Sequence, residues 1–105
     1  MAINYVNNLK SNVTTSTTLY NPTTASVQCT VIGLLIANTS SSTVTATVTL
    51  TSGATTANIV KNITIPVGNS LDVVQAAKIV IEQNDVVSIS ASGTVDAILS
   101  AIEVS

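Results

Sequence analysis

The chain has 105 residues, a size that fits one domain with one hydrophobic core. It carries three lysines, no arginine and five acidic residues, so it lacks the basic patch that nucleic-acid binding needs. Histidine is absent, which excludes Ser-His and Cys-His nucleophilic chemistry and the usual proton shuttle at neutral pH. We therefore expect neither a nucleic-acid-binding protein nor an enzyme.

The apolar residues of the chain are small and aliphatic. Valine, isoleucine and leucine total 33 residues, and the only aromatic rings are those of Tyr5 and Tyr20. The longest apolar stretch, residues 31–37, is far shorter than the roughly 20 residues of a transmembrane helix. The first residues show no signal-peptide pattern. We expect a soluble protein without a membrane partner, made in the cytoplasm and not secreted.

Residues 1–15 are predicted to form an N-terminal arm, because they are rich in asparagine and show few strand signals. Ile3, Tyr5, Val6 and Leu9 would supply contacts if the arm becomes ordered on a neighbouring molecule. The remaining residues, 16–105, are predicted to form the folded domain.

The folded domain shows the period of two that is typical of β-strands. From Thr43 to Thr51, valine, alanine and leucine alternate strictly with threonine, whose branched side chain suits the solvent face of a sheet. Turn-forming residues separate this strand from similar segments. Eight strands are predicted, near residues 16–20, 26–37, 43–51, 57–65, 70–74, 78–82, 86–91 and 95–104.

The segment "LDVVQAAKIVIEQND", residues 71–85, could also begin a helix capped by Asp72. A strand, a turn and a second strand are preferred, because helical spacing would spread its β-branched residues around the whole helix. A single helical turn around residues 75–77 remains open. The regular strand spacing predicts an all-β fold, an antiparallel β-sandwich of jelly-roll or Ig-like type.

The last predicted strand is apolar on both faces. Ile98, Ile102 and Val104 fall on the face opposite to Val95, Ala97, Leu99 and Ala101, whereas a solvent-exposed sheet should present a polar row there. The second face is therefore predicted to be covered, either by the arm, by a neighbouring subunit, by the surface to which the protein docks, or by a loop. Together with the four arm residues, Ile98, Ile102 and Val104 form the predicted interface.

No catalytic, cofactor-binding or metal-binding residue is predicted. Cys29 lies within a strand without a neighbouring base and is interpreted as a buried structural thiol. Glu82 and Asp85 could act as paired carboxylates or hold calcium, but their position favours an ordinary turn. The three Asn-x-Ser/Thr sites, at Asn12, Asn38 and Asn62, are expected by chance in so Thr-rich a chain.

From Thr17 onward the chain resembles a group of small virion structural proteins of tailed bacteriophages. The likeness lies in "TTLYNPTTASVQCTVIGLLIANTSSSTVTATVTL", then "VKNITIPVGNSLDVV", then "KIVIEQNDVVSISASGTVDAILSAIEVS". Such proteins typically show a Thr-Val strand, an "IP.G.SL" segment and a closing strand that ends near Glu-Val. Here "EQND" replaces the more usual Glu-x-Gly-Asp turn, and the arm is unmatched.

The resemblance implies a non-enzymatic β-sandwich subunit that is repeated on a phage particle. The leading expectation is a capsid decoration or cement protein, located on the capsid surface of the virion and made in the host cytoplasm. Its expected partners are further copies of itself, as a homotrimer, and the major capsid protein, with no cofactor. Two alternatives are a neck, tail or baseplate component and a module that binds a host-surface glycan, although two tyrosines equip the chain poorly for the latter.

Overall fold

A computed structural model of the chain describes residues 3–23, 28–73 and 79–104. These residues form nine β-strands and no helix. The strands are β1 (Ile3–Val13), β2 (Thr17–Tyr20), β3 (Gln28–Asn38), β4 (Val44–Ser52), β5 (Thr55–Ile65), β6 (Ser70–Asp72), β7 (Ile79–Ile81), β8 (Val86–Ala91) and β9 (Val95–Val104).

Eight of these strands, β2 to β9, lie where the alternation and the turn residues predict them. Their ends differ from the predicted ends by at most two residues. The ninth strand, β1, lies within the stretch predicted as an arm. The optional helical turn around residues 75–77 falls outside the described residues.

The chain is arranged as one long antiparallel hairpin that folds over on itself. β4 pairs with β5 at the closed end; moving outward, β3 pairs with β6 and β7, β2 with β8, and β1 with β9. Folding the hairpin brings β9 beside β3 and β8 beside β4. The result is two sheets: sheet A, in the order β1-β9-β3-β6 with β7 also on β3, and sheet B, in the order β2-β8-β4-β5. This is a jelly-roll arrangement, so the predicted all-β antiparallel sandwich is confirmed.

The core between the sheets is built from small aliphatic side chains. Val44, Ala46 and Val48 point inward and are at most 2% exposed, while the threonines between them are half-buried on the outer surface of sheet B. The largest fully buried side chains are those of Leu34, Ile36, Ile65, Ile81, Ile89 and Leu99. Each contributes about 1.5 to 3 kcal/mol relative to an exposed position. Of the two tyrosines, Tyr20 is buried and Tyr5 is exposed.

Residues 3–13 of the predicted arm form β1, an edge strand of sheet A. β1 runs antiparallel to β9, starting with Ile3 opposite Val104. Near its end the strand bulges, and Asn12 adopts a left-handed φ of 56° while its backbone N–H donates to Asp96 Oδ1 at 3.0 Å. Residues 3–13 therefore belong to the sandwich as strand β1. The boundary predicted at residue 15, between an arm and the folded domain, stays a prediction.

The edge of sheet B is irregular. Pairing between β4 and β5 shifts register twice, and Asn62 in β5 has a left-handed φ of 53°. Its backbone N–H donates to Thr47 Oγ1 at 3.0 Å, and the neighbouring Lys61 is exposed. Bulges and lysines on an edge strand oppose the addition of a further strand. The β5 edge of sheet B is consequently a poor template for strand pairing between molecules.

Gly93, in the turn between β8 and β9, is required for close packing. A Cβ at this position would lie 2.6 Å from Val44 Cγ1, and Val44 is itself buried. We expect Gly93→Ala to lower the free energy of unfolding by about 1 to 3 kcal/mol, the usual cost of overpacking a core. Urea unfolding of the purified variant measures this loss.

Gly33 provides the matched control. A Cβ at Gly33 would meet only Ser100 Cβ, at an ordinary 3.9 Å. Gly33→Ala should therefore leave the free energy of unfolding unchanged or raise it by up to about 1 kcal/mol, because alanine reduces the conformational entropy of the unfolded chain. A similar loss in both variants would show that the backbone freedom of glycine, and not the contact with Val44, determines the effect.

Candidate interaction surface

The outer face of sheet A, which points away from the core, carries an unusual number of exposed apolar side chains. In β9 the residues alternate between buried Val95, Ala97, Leu99 and Ala101 and outward-pointing Asp96, Ile98, Ser100, Ile102 and Val104. The residues of β1 and β3 that pair with these outward-pointing residues share this face. Val80 of β7 shares it as well, because it pairs with Thr30 of β3. The exposed large apolar side chains of this face are Ile3 (58% exposed), Tyr5 (77%), Leu9 (60%), Ile32 (37%), Leu35 (39%), Val80 (66%) and Ile98 (39%).

Cross-strand pairing arranges the outer face of sheet A in rows that run across β1, β9 and β3. Three rows follow one another along the strands: the Tyr row (Tyr5, Ile102, Thr30), the Ser row (Asn7, Ser100, Gly33) and the Leu row (Leu9, Ile98, Leu35). Large side chains dominate the first and third rows, whereas the middle row is small or polar. The face therefore has two ridges with a trough between them.

The trough is a shallow depression of about 600 Å³ over β9. Ser100 lies on its floor, with Tyr5 and Asn7 on the side of β1 and Ile32 on the side of β3. The pairing of β3 with β9 shifts register between Val31 and Gly33, which is where Ile32 turns onto the outer face. The bulge thus adds an apolar side chain to the wall of the trough.

Six of the seven residues predicted as an interface lie together on the outer face of sheet A. They are Ile3, Tyr5, Leu9, Ile98, Ile102 and Val104. Val6 does not join them, because it points inward opposite Ala101 and packs against the core. The structure thus brings the arm residues and the last strand onto one surface, while their role as an interface stays a prediction.

Sequence reasoning missed three residues of this face: Ile32, Leu35 and Val80. A signal was present in "VIGLLIA", residues 31–37, which is apolar at successive positions as a strand buried on both faces should be. The same pattern in β9 led to the prediction for Ile98, so it would have served for β3 as well.

The two outer faces of the sandwich differ in chemistry. Sheet B presents hydroxyl groups in its central strands, with Thr45, Thr47 and Thr49 in β4 and Ser88 and Ser90 in β8. Such a row is hydrated at little cost. Sheet A presents mainly hydrocarbon, because the Tyr, Ser and Leu rows carry no charged side chain in β1, β9 and β3. Asp72, opposite Leu35 in β6, and Asp96, in the next row of β9, are charged residues of the same face. The outer face of sheet B is thus polar, and the outer face of sheet A is mainly apolar.

A second cluster lies inside the sandwich, at the end where β2 crosses β9. The Tyr20 hydroxyl donates a hydrogen bond of 2.5 Å to Glu103 Oε2. Burial raises the pKa of Tyr20 well above its ordinary value, and contacts with Cys29 and Glu103 raise this pKa further. Cys29 is 1% exposed, as expected of a buried structural thiol. The cluster joins the two sheets through a neutral phenol and a carboxylate.

We expect alkaline pH to destabilise the fold through Tyr20. Because the folded protein holds the pKa of Tyr20 above its ordinary value of 10.0, this contribution to stability is fully present below pH 10 and is lost as the pH rises further. In a Tyr5→Phe variant, Tyr20 is the only tyrosine. Its tyrosinate absorbance should appear together with the loss of the β circular-dichroism signal. Ionisation near pH 10 in a still folded protein would contradict the prediction.

The Glu82–Asp85 segment forms a turn, as its position favours. The Asp85 carboxylate accepts a hydrogen bond from the Glu82 backbone N–H at 2.9 Å, and the Asp85 backbone N–H donates to the Glu82 carbonyl at 3.1 Å. Asn21 Nδ2 donates to the Asp85 carbonyl at 2.8 Å. Asp85 is 4% exposed and therefore holds the turn from inside, whereas Glu82 points into solvent.

Within residues 3–23, 28–73 and 79–104, no three His, Cys, Asp or Glu side chains come together in a way that could hold a metal ion. The same residues contain no helix that could span a membrane.

No protein-family model matches the chain, and no curated protein is detectably similar to it in sequence. Among solved structures, the fold is similar to that of a protein from Bacillus endospore appendages, which are described as a novel family of disulfide-linked pili. The TM-score is 0.54 at 20% sequence identity, and the match covers 97% of this chain and 85% of that one. At this identity the similarity concerns the fold.

Proposed function

We propose that the protein is a non-enzymatic structural subunit of a phage virion, where it decorates the capsid and adds contacts between major capsid subunits. The observation that carries this proposal is the outer face of sheet A. Taking about 200 Å² for a fully exposed large side chain, its exposed apolar residues amount to roughly 750 Å². Most monomers expose apolar patches no larger than about 300 to 600 Å². A surface of this kind belongs to a protein that works in contact with other protein molecules.

Two further features support a structural role. The chain has no histidine and few charges, so it lacks the side chain that serves most often as a general acid or base. The phage setting comes from the resemblance of residues 17–105 to small virion proteins. Position on the capsid, in place of the neck, tail or baseplate, is part of the proposal.

A second candidate is a subunit of an extracellular appendage, which the similarity in fold to the Bacillus pilus protein favours. The linkage named for those pili is a disulfide. This chain has a single cysteine, Cys29, which is 1% exposed in the interior of the sandwich near the start of β3. Covalent linkage of that type would require the fold to open, and for this reason we favour the virion.

Co-sedimentation with shells assembled from the major capsid protein of the same phage tests the proposal. The purified protein should bind until it reaches a fixed number of copies per shell, and unlabelled protein should displace labelled protein. Shells from an unrelated phage serve as the control. If the protein stays in the supernatant at every concentration, the capsid-decoration proposal is wrong.

A further inference from the structure

We infer that the outer face of sheet A binds the same face of a second copy of this chain, in a two-fold symmetric dimer that packs sheet against sheet. The inference rests on the proposed structural role and names a partner for its main surface. The first argument is area. The roughly 750 Å² of exposed apolar residues is enough to supply the apolar share, somewhat more than half, of the approximately 800 Å² that each partner contributes to a standard stable interface.

The second argument is the distribution of apolar residues over the molecule. Of the large apolar side chains that are exposed among the described residues, all lie on this face except Val67, which stands alone in a loop. A three-fold arrangement needs two different, mutually complementary surfaces on each subunit, whereas a two-fold dimer uses one surface twice. A single large patch therefore favours a dimer over the trimer expected from the virion resemblance.

The third argument is the shape of the outer face of sheet A. The Tyr, Ser and Leu rows form ridge, trough and ridge, and successive rows on a strand are about 7 Å apart. A two-fold axis that runs across the strands, midway between the Ser row and the Leu row, places the Leu row of each copy over the Ser row of the other. Each trough then receives Leu9, Ile98 and Leu35 of the partner copy. Side chains interdigitate in this way where sheets pack about 10 Å apart.

The same axis gives Tyr5 a defined place. It sets the Tyr row of one copy over the next row beyond the Leu row, which contains Asp96 opposite Ala37. Because this axis keeps each strand over its counterpart, Tyr5 lies over the β1 strand of the other copy just beyond the Leu row, where Ser11 and Asn12 are exposed and offer polar groups to the phenol hydroxyl. Tyr5 is the most exposed of the large apolar residues, at 77%, so it gains most from this burial.

Strand pairing between edges explains the surface less well. Pairing through β1 would extend sheet A but would leave Ile98 and Leu35, which lie in β9 and β3, in contact with water. Both edge strands of sheet B are irregular, because the pairing of β5 with β4 and the pairing of β2 with β8 each shift register. Asp72, opposite Leu35, and Asp96, in the row beyond the Leu row, lie at the margin of the apolar rows, so charge complementarity does not explain the rows themselves. The copy-to-copy contact covers the Tyr, Ser and Leu rows, because each of them lies over a row of the other copy.

The test is the native mass of the purified protein, measured by light scattering after size-exclusion chromatography over a range of concentrations. We expect the mass of two chains for the wild type. In Ile98→Lys, a charge at the centre of the face should weaken the dimer by at least about 30-fold, the effect of losing one hot spot. Thr49→Lys, at a half-buried position on the outer face of sheet B, is the matched control and should remain a dimer.

A second variant, Tyr5→Ser, protects the test against misfolding of Ile98→Lys, because Tyr5 is too exposed to support the fold. It should also shift the equilibrium toward the monomer while circular dichroism stays unchanged. A wild-type monomer or trimer would overturn the inference, as would a dimer that survives both substitutions. If the wild type is a monomer and Ile98→Lys loses binding to capsid shells, the capsid is the occupant of the face. The dimer is then wrong, and the proposed function stands.

Discussion

Replacing Leu99 by alanine should lower the free energy of unfolding by about 3 to 5 kcal/mol. Leu99 is 0% exposed and lies in β9, at the centre of sheet A, with Leu34 of β3 opposite it. The substitution removes three carbon atoms from a core built mainly of small, fully buried aliphatic side chains, and so leaves a cavity. Because domains of this size are stable by only about 5 to 15 kcal/mol, the loss is a large part of the total. Urea unfolding at equilibrium measures it.

The adjacent residue supplies the control for Leu99. Ile98 lies on the same strand but on the outer face of sheet A, at 39% exposure. Ile98→Ala should change the stability of the monomer by less than about 1 kcal/mol, since the side chain is not enclosed by the core. The unfolding experiment is carried out at low protein concentration, so that dimerisation does not contribute. Equal losses for the two variants would contradict the assignment of their faces.

Replacing Asn38 by alanine should cost about 3 kcal/mol, because this side chain satisfies several backbone groups at the end of β3. Asn38 is 5% exposed. Its Nδ2 donates to the carbonyls of Ser42 and Ile65, at 2.8 and 2.9 Å, and its Oδ1 accepts from the backbone N–H and the hydroxyl of Ser40, at 2.9 and 2.8 Å. Alanine leaves the Ile65 carbonyl buried without this partner. An unsatisfied buried group costs about 1 to 3 kcal/mol.

Thermal and urea unfolding of Asn38→Ala measure this cost, with Asn58→Ala in the exposed edge strand β5 as the control. Asn58→Ala should remain within about 0.5 kcal/mol of the wild type. Asn38→Asp retains the acceptor but loses both donated bonds, and it should be destabilised as well. A loss below about 1 kcal/mol in Asn38→Ala would show that water replaces the amide.

Strands such as β4 and β8 could be predicted because apolar residues alternate there with threonine and serine. β1 could not, for a physical reason. Its large apolar residues Ile3, Tyr5 and Leu9 point away from the core, and Asn8 and Lys10 occupy the inward side at the edge of the sheet. Apart from Val6 and Val13, the usual rule that apolar residues lie inside is therefore inverted in this strand, and its sequence resembles that of a disordered segment.

For a related reason, the part of the candidate surface in β9 could be predicted from the sequence, whereas the part in β3 could not. In β9 the period of two is unbroken, so the second apolar row containing Ile98 is visible in the sequence. In β3 the bulge at Ile32 and Gly33 shifts the period by one residue, and the outward position of Leu35 depends on that shift. Pairing across the sheet depends on strands that are far apart in the chain, and periodicity carries no information about it.

The long-hairpin arrangement also has a consequence for synthesis. The two ends of the described chain meet in one sheet, with Ile3 opposite Val104, and β9 is inserted between β1 and β3. While the ribosome is still making β9, sheet A lacks its central strand, and β1 and β3 have no partner between them. Contacts this distant in sequence form slowly, typically in milliseconds to seconds. Newly made chains consequently pass through a period in which β3 exposes apolar residues on both faces, and crowded synthesis of many copies favours aggregation over folding.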